Sequence, residues 1–351
     1  MKRTLAIGCA AVALAAFAGT ASAQTKFDVV VGGDALFTGG WVVDEDTDGG
    51  RNVEFNNRFR LVITPTAKAD NGLEYGARLR LRTGSNGVVF HDRAFMFVNG
   101  GFGSVQLGTT YGLSDDYGII GPVVDGIAGS WDDQAPGYIG GLPTGNTVGT
   151  ALRNPLSSTP LTRAIYLTPN FGGFQAGVSY APQDDNGTSI DRNPAGVNDI
   201  VEVGGSYSGT FGSFTVAASG YYEWANTDGP AENIKSWTVG TTVGFGPVAI
   251  GGMYTDMGDL TGVGGGTDAT AWSVNGTYTV GPVILAGSFL RADEENVFVG
   301  GVDDKLDVWE AGVTYTIAPG LTAGVEYGYY DRNAAAGGDS HLVVFDTRLA
   351  F

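Results

Sequence analysis

In segment after segment of this chain, apolar and polar side chains alternate strictly, and the segments are joined by gaps of two unequal kinds. Across 272–280 the even positions carry Trp, Val, Gly, Tyr and Val, and the odd positions Ser, Asn, Thr and Thr. Leu321, Ala323, Val325, Tyr327 and Tyr329 oppose Thr322 and Glu326. Trp309, Val313, Tyr315 and Ile317 oppose Glu310, Thr314 and Thr316. A period of two belongs to an extended strand with one apolar and one wet face. The wet positions are mostly Ser, Thr, Gly and Asn with scattered charges. That composition suits a water-filled interior better than the crowded middle of a sandwich.

The short gaps are Ala69-Asp70-Asn71-Gly72, Asn99-Gly100-Gly101-Phe102-Gly103, Asn170-Phe171-Gly172-Gly173, Gly209-Thr210-Phe211-Gly212, Gly244-Phe245-Gly246-Pro247, Gly281-Pro282 and Ala318-Pro319-Gly320. Between them lie longer loops rich in Asp, Asn and Gly, around 44–51, 84–87, 113–160, 182–198, 225–233, 257–268, 293–304 and 332–340. Seven turns alternating with eight loops predict sixteen strands of about 9–12 residues, each long enough to cross a hydrocarbon layer when tilted. Short turns at one end and long loops at the other are the asymmetry of a membrane barrel. The expected fold is therefore all-β: a transmembrane antiparallel β-barrel of about sixteen strands, residues 24–351 forming one domain. The last segment, HLVVFDTRLAF, still alternates when it stops on Phe351. A free edge there would invite pairing with other chains, whereas a closed barrel leaves none.

No stretch beyond residue 23 approaches the ~18 to 20 apolar residues of a spanning helix, so any crossing must be made by strands. Residues 1–23 read differently. Met1, Lys2 and Arg3 precede an apolar run from Leu5 to Phe17, and Ala21-Ser22-Ala23 supplies a small-residue cleavage pattern. This is the expected form of a secretory signal peptide. It contains Cys9, the chain's single cysteine, so the remainder can hold neither a disulfide nor a thiolate site. It also contains Lys2 and Arg3 but no acid, which leaves 17 basic against 37 acidic residues beyond it, a net charge of −20. Such an excess argues against nucleic acid as a partner and mildly favours cations in a pore.

Two features carry candidate chemistry. Across 53–63, Val53, Phe55, Phe59, Leu61 and Ile63 share a face opposite Glu54, Asn56, Arg58 and Arg60. In the next strand Leu73, Tyr75, Ala77, Leu79 and Leu81 oppose Glu74, Arg78, Arg80 and Arg82. Five arginines thus project from neighbouring strands to one place, and like charges so placed repel unless water or acids answer them. Glu54 and Glu74 are local candidates for that answer. The other candidates are in 113–160, the third and longest loop. It carries Asp115, Asp116, Asp125, Asp132 and Asp133, with Ile119, Ile120, Val123, Val124, Ile127, Trp131, Tyr138 and Ile139 as apolar anchors. A loop of that length is functional or disordered, and these anchors argue for one that folds inward. Its acids would then face the arginines across a wet gap and set a transverse field.

Asp92-Arg93-Ala94-Phe95, Asn99-Gly100-Gly101-Phe102-Gly103, Gly108-Thr109-Thr110-Tyr111-Gly112, 163–174, Gly177-Val178-Ser179-Tyr180 and the final Phe351 together resemble the Gram-negative general porins, the trimeric, sixteen-stranded outer-membrane kind. The resemblance spans residues 24–351. It implies passive diffusion of ions and small hydrophilic solutes without a catalytic step, a homotrimer, and an outer-membrane setting among lipid and lipopolysaccharide. It also implies that 113–160 is the constriction loop, that arginines of the second to fourth strands form the facing wall, and that Phe351 is a terminal sorting residue. Parity points Asp92 inward and groups Arg93 with Phe95 and Phe97, so Arg93 either sits at the rim or follows a bulge. Arg163 is the expected anchor of the long loop. No cofactor is required. Asp44-Glu45-Asp46-Thr47-Asp48 and Asp303-Asp304 offer oxygen ligands for Ca²⁺ but lack EF-hand spacing. The alternatives are a solute-specific channel, a structural barrel, or an outer-membrane hydrolase, for which only His91 and His341 could act as bases.

Overall fold

The structure, a computed structural model, describes residues 26–44, 51–83, 88–122, 153–184, 196–228, 232–260, 267–297, 302–332 and 339–351. Sixteen strands follow one another: Asp28–Asp44 (β1), Val53–Lys68 (β2), Glu74–Thr83 (β3), Val89–Gly100 (β4), Gly103–Thr110 (β5), Leu161–Leu167 (β6), Phe174–Gln183 (β7), Val197–Phe211 (β8), Phe214–Thr227 (β9), Ile234–Phe245 (β10), Val248–Gly258 (β11), Thr267–Val280 (β12), Val283–Val297 (β13), Val302–Ala318 (β14), Leu321–Arg332 (β15) and Ser340–Ala350 (β16). Each pairs antiparallel with its neighbours in sequence, and β16 returns to β1, closing the barrel. A short helix, Leu113–Tyr117 (α1), follows β5. All seven short gaps are the turns expected. At Gly212, Gly246 and Gly281 the backbone takes a φ of 55–60° that a side chain would strain.

Closure places the last residue against the first strand. Phe351 donates its N–H to Gly33 O at 3.0 Å and accepts from Gly33 N–H at 2.9 Å. The ring of Phe351 meets that of Phe59 at 5.9 Å. No sheet edge is left unpaired, as alternation alone required.

The outer face is apolar: Trp41, Phe55, Met96, Ile250, Tyr315 and Phe345 are exposed there. Aromatic rings form a band at each end. Trp237 packs on Tyr254 at 5.2 Å, and Trp272, Phe289 and Trp309 run in series at the loop end. Phe214 stacks on Phe245 at 4.8 Å beside the short turns. Two aromatic bands bounding an apolar belt are a bilayer-facing surface.

Two expectations need correction. Several strands are longer than 9–12 residues, β1 and β14 reaching 17, and most of 293–304 is strand rather than loop. There Asp293 stands opposite Lys305 and Arg291 opposite Asp307. The Arg291–Asp307 ion pair, with Lys305 joining Asp307 along β14, continues the ladder past the apolar belt, where alternation no longer marks it. The interior is also not polar throughout. Met253, Met257, Leu290, Leu306, Val308 and Leu342 form one buried apolar patch on the inner side of β11–β16. Leu161, Ala181, Ile200, Ala225 and Ile234 form a second on β6–β10. Part of the long loop lies on both, so these inward faces are dry.

Candidate functional site

β2 and β3 bring Arg58, Arg60, Arg78, Arg80 and Arg82 onto the inner face. Arg60 stands directly opposite Arg82. Arg80 stands opposite Arg93 of β4, where Leu81 pairs with His91 and the register shifts. Asp92 is the extra residue of this bulge, so Asp92 and Arg93 both turn inward. Arg93 therefore belongs to the wall and not to the rim.

The acids that answer these arginines are mainly on the strands. Asp92, fully buried, accepts from Nε and Nη2 of Arg80, each at 2.5 Å, and lies 3.8 Å from Arg82. A fork-to-fork pair of this kind is the strong form of the guanidinium–carboxylate contact. Asp34 of β1 takes Arg58 at 3.3 Å and Arg348 of β16 at 3.1 Å through one oxygen. Glu54 and Glu74, the local candidates, are engaged elsewhere, by Arg51 at 2.5 Å and by Asn99 at 3.0 Å. Arg78 is exposed and makes no ion pair among the described residues.

The loop acids are divided. Asp116 of α1 pairs with Arg93. Asp115 pairs with Arg153 at 3.3 Å, on the loop's own returning limb. Asp125, Asp132 and Asp133 lie outside the described residues. The expected facing of five loop acids against five arginines is thus replaced, as far as the described residues go, by one contact across to β4 and one within the loop. Tyr111 joins the two sides. Its ring lies under the guanidinium groups of Arg93 at 4.8 Å and Arg80 at 5.7 Å, and its hydroxyl donates to Asp92 at 3.4 Å. Tyr117 accepts from Gln106 at 2.9 Å. Burial, and then the Asp116 carboxylate, push its phenol above the usual range.

Beyond α1 the chain follows the inner wall. Ile119 donates its N–H to Ser219 of β9 at 2.8 Å, and Ile120 O accepts from Asn275 of β12 at 3.2 Å. A Cβ on Gly240 of β10 would stand 1.7 Å from Ile119 O, so this close approach needs glycine. The returning limb, 153–160, is held at β6, where Arg163 donates to Leu156 O at 3.0 Å and Thr159 O at 3.2 Å. The described parts of the loop thus line β5–β12 while the arginines occupy β2–β4. Sequence reasoning pointed Asp92 inward without giving it a partner, and it missed Asp34, Tyr111 and two buried glutamates, Glu202 and Glu223. For the acids the only signal is a charged residue at an inward position of a strand; Tyr111, just past the end of β5, carries none.

Other candidate chemistry is placed elsewhere. His91 stands opposite Leu81 on the outer face. His341 is outward too, between Tyr327 and Tyr329, with Nδ1 2.7 Å from the Tyr327 hydroxyl. Neither histidine reaches the bore. Of the acidic segments considered for Ca²⁺, 45–48 lies outside the described residues and Asp303-Asp304 falls in β14.

A closed sixteen-stranded barrel, apolar outside and charged within, with a long loop on its inner wall, is a transmembrane β-barrel of the porin type. The chain belongs to the Gram-negative porin family, whose sequence profile matches residues 10–335. It is 27% identical over 167 residues to a porin of Rhodobacter capsulatus, an alignment covering 48% of this chain and 49% of that protein. The chain therefore spans about half the length of the curated relative it matches. In fold it is similar to Salmonella typhi OmpF, solved with daunomycin, at a TM-score of 0.69 and 18% identity over 92% of this chain and 97% of that one. It is likewise similar to the trimer form of Vibrio cholerae OmpT, at 0.61 and 16% over 93% and 99%.

Proposed function

We propose that this protein is an outer-membrane porin, a water-filled channel for passive diffusion of ions and small hydrophilic solutes. Charge filtering occurs where the arginines of β2–β4 meet the long loop. The observation that carries this reading is the inner face itself: Arg58, Arg60, Arg78, Arg80, Arg82 and Arg93 line one arc of a closed barrel, with Asp116 of the loop on Arg93. Preorganised charges lining a constriction discriminate solutes by sign and size without any chemical step. Asp115 and Asp116, with Asp125, Asp132 and Asp133, are the acidic side of this filter, and Arg163 anchors the loop. Over the whole chain the excess of acid gathers cations at the mouths, while the arginines act on whatever enters the narrow part.

Residues 1–23 direct export and Phe351 marks the barrel for outer-membrane assembly. The aromatic bands set its depth among phospholipid and lipopolysaccharide. Three barrels associate, as the Vibrio OmpT structure's trimer form suggests by analogy. The test is electrical. Purified protein in planar lipid bilayers gives stepwise, ohmic conductance, and liposomes containing it swell in small sugars. A sealed bilayer with folded protein present rules the channel out.

A further inference from the structure

The neck of the long loop, where its outgoing limb (112–115) passes its returning limb (153–159), is built around buried carboxylates, and one of them takes donors from both limbs. Glu202 sits on the inner face of β8, fully buried. Its Oε1 accepts from the Ser114 N–H at 2.9 Å and from Asn154 Nδ2 at 3.0 Å. Its Oε2 accepts from the Leu113 N–H and from the Ser157 hydroxyl at 3.3 Å. Each oxygen therefore takes one donor from the outgoing limb and one from the returning limb. A buried carboxylate is costly unless its lone pairs are filled, and here four donors fill them.

The surroundings reinforce the joint. Gly112 N–H donates to Ser157 O at 2.8 Å and Asp115 N–H to Ser157 Oγ at 3.1 Å, tying limb to limb. Glu223 of β9 accepts from the Leu156 N–H at 3.0 Å, and Ser236 of β10 donates to Asn154 Oδ1 at 2.7 Å. Gly112 leaves no room for anything larger: a Cβ there would lie 2.3 Å from Ser157 Oγ and 2.6 Å from Glu202 Oε2.

We infer that Glu202 is the positioning residue that clasps both limbs of the loop to β8 and thereby sets where Asp115 and Asp116 stand in the bore. The inference rests on the porin reading above and adds to it the point from which the constriction is held. Asp115 and Asp116 follow directly on the residues that Glu202 binds, so slack at the clasp is passed to them within one turn of α1. Asp116 is held a second time by Arg93, across on β4. The filter is strung between two fixed points, and Glu202 is the one that no solute touches.

Two isosteric or minimal changes reach this joint from opposite sides. Glu202→Gln keeps the side-chain shape but turns one acceptor into a donor facing donors. Gly112→Ala keeps the carboxylate and wedges the limbs apart. The readout is liposome swelling in a series of neutral sugars, each rate taken relative to the smallest sugar, with circular dichroism confirming the barrel. Both variants are expected to change the large-to-small ratio severalfold, with no loss of strand content. The double variant is expected to match the single ones, because both break one joint. Glu202→Asp, which keeps the charge but shortens the reach, should fall between. Should Glu202→Gln fail to fold, Asn154→Ala and Ser157→Ala remove donors that belong to the loop alone and must show the same change. Folded, conducting variants with the wild-type ratio overturn the clasp and leave the porin reading intact. Wild-type protein that does not conduct overturns the porin reading, and the clasp with it.

Discussion

Replacing Arg78 with Gln removes a wall charge that faces the bore exposed and without an ion pair among the described residues, so the change falls on the permeating ion and not on a structural contact. A unit charge 4 Å from a passing ion contributes about 1 kcal/mol in bulk water and about 4 kcal/mol at an effective dielectric constant of ~20. Arg78 is solvated, so the water value applies. At 0.1 M salt, with a Debye length of about 10 Å, roughly 0.7 kcal/mol of it remains. Losing the charge favours a cation by that amount and disfavours an anion equally. The cation-to-anion permeability ratio should therefore rise by about 1.4 kcal/mol, close to tenfold. At 1 M salt, where the Debye length is ~3 Å, the change should shrink to roughly twofold. The assay is the reversal potential of the protein in planar bilayers under a KCl gradient, at both salt levels. Arg291→Gln serves as control, because that guanidinium lies on the outer face, bonded to Asp307 at 2.6 and 2.7 Å. A wild-type ratio in the Arg78 variant, or an equal shift in the Arg291 variant, would refute charge filtering by this wall.

Three further outcomes follow from the same geometry. Asp34→Asn takes from Arg58 and Arg348 the carboxylate they share; with Arg58 only 3% exposed, the barrel should lose about 3 kcal/mol. A thermal transition in detergent at the wild-type temperature would show instead that the seam between β16, β1 and β2 needs no ion pair. Tyr111→Leu removes the ring shared by Arg80 and Arg93 and should cost about 1 kcal/mol, whereas Tyr111→Phe should be nearly neutral. Equal effects in a denaturation series would mean that the hydroxyl matters and the ring does not. Gly240→Val sets a side chain where Ile119 O stands, since even a Cβ would lie at 1.7 Å. It should alter single-channel conductance with strand content unchanged, and a wild-type conductance would place the loop off that wall.

The barrel was legible because each strand repeats one constraint. A closed sheet between lipid and water forces alternation on every crossing, and Gly-rich turns that need positive φ mark every second end. Strand number, order and the facing of Arg58, Arg60, Arg78, Arg80 and Arg82 all follow from those two signals. What escaped is where the constraint weakens. Past the aromatic band the outward positions of β13 and β14 turn from apolar to charged (Arg291, Asp293, Lys305 and Asp307), so 293–304 reads as loop although most of it is strand. Under the long loop both faces are dry. Leu161, Ile165 and Leu167 are buried inward while Tyr166 faces out, and β6 shows little alternation.

The site was legible in its cations and not in its anions, and the reason is the distance over which a barrel closes. β2 and β3, which carry the arginines, are joined by the five residues 69–73, so parity alone puts them together. Asp34 meets Arg58 24 residues away and Arg348 314 residues away, through the pairing of β1 with both β2 and β16. Parity gives the face a residue points to, but its height along the bore depends on register, which every turn and bulge between the two residues can shift. One such bulge decides the wall. Arg93 shares its face with Phe95 and Phe97, and that face is the inner one, since Phe95 stands opposite Arg78; the bulge lets Asp92 turn inward as well, where it answers Arg80. Arg80 then has Asp92, and Asp116 has Arg93. The long loop is rich in acids and so looks in sequence like the source of the counter-charges. Yet a loop that must be held in place needs its own partners, and Asp115 and Asp116 are spent on Arg153 and Arg93. The charges that neutralise a barrel wall are best supplied by strands that cannot move, which is where Asp34 and Asp92 stand.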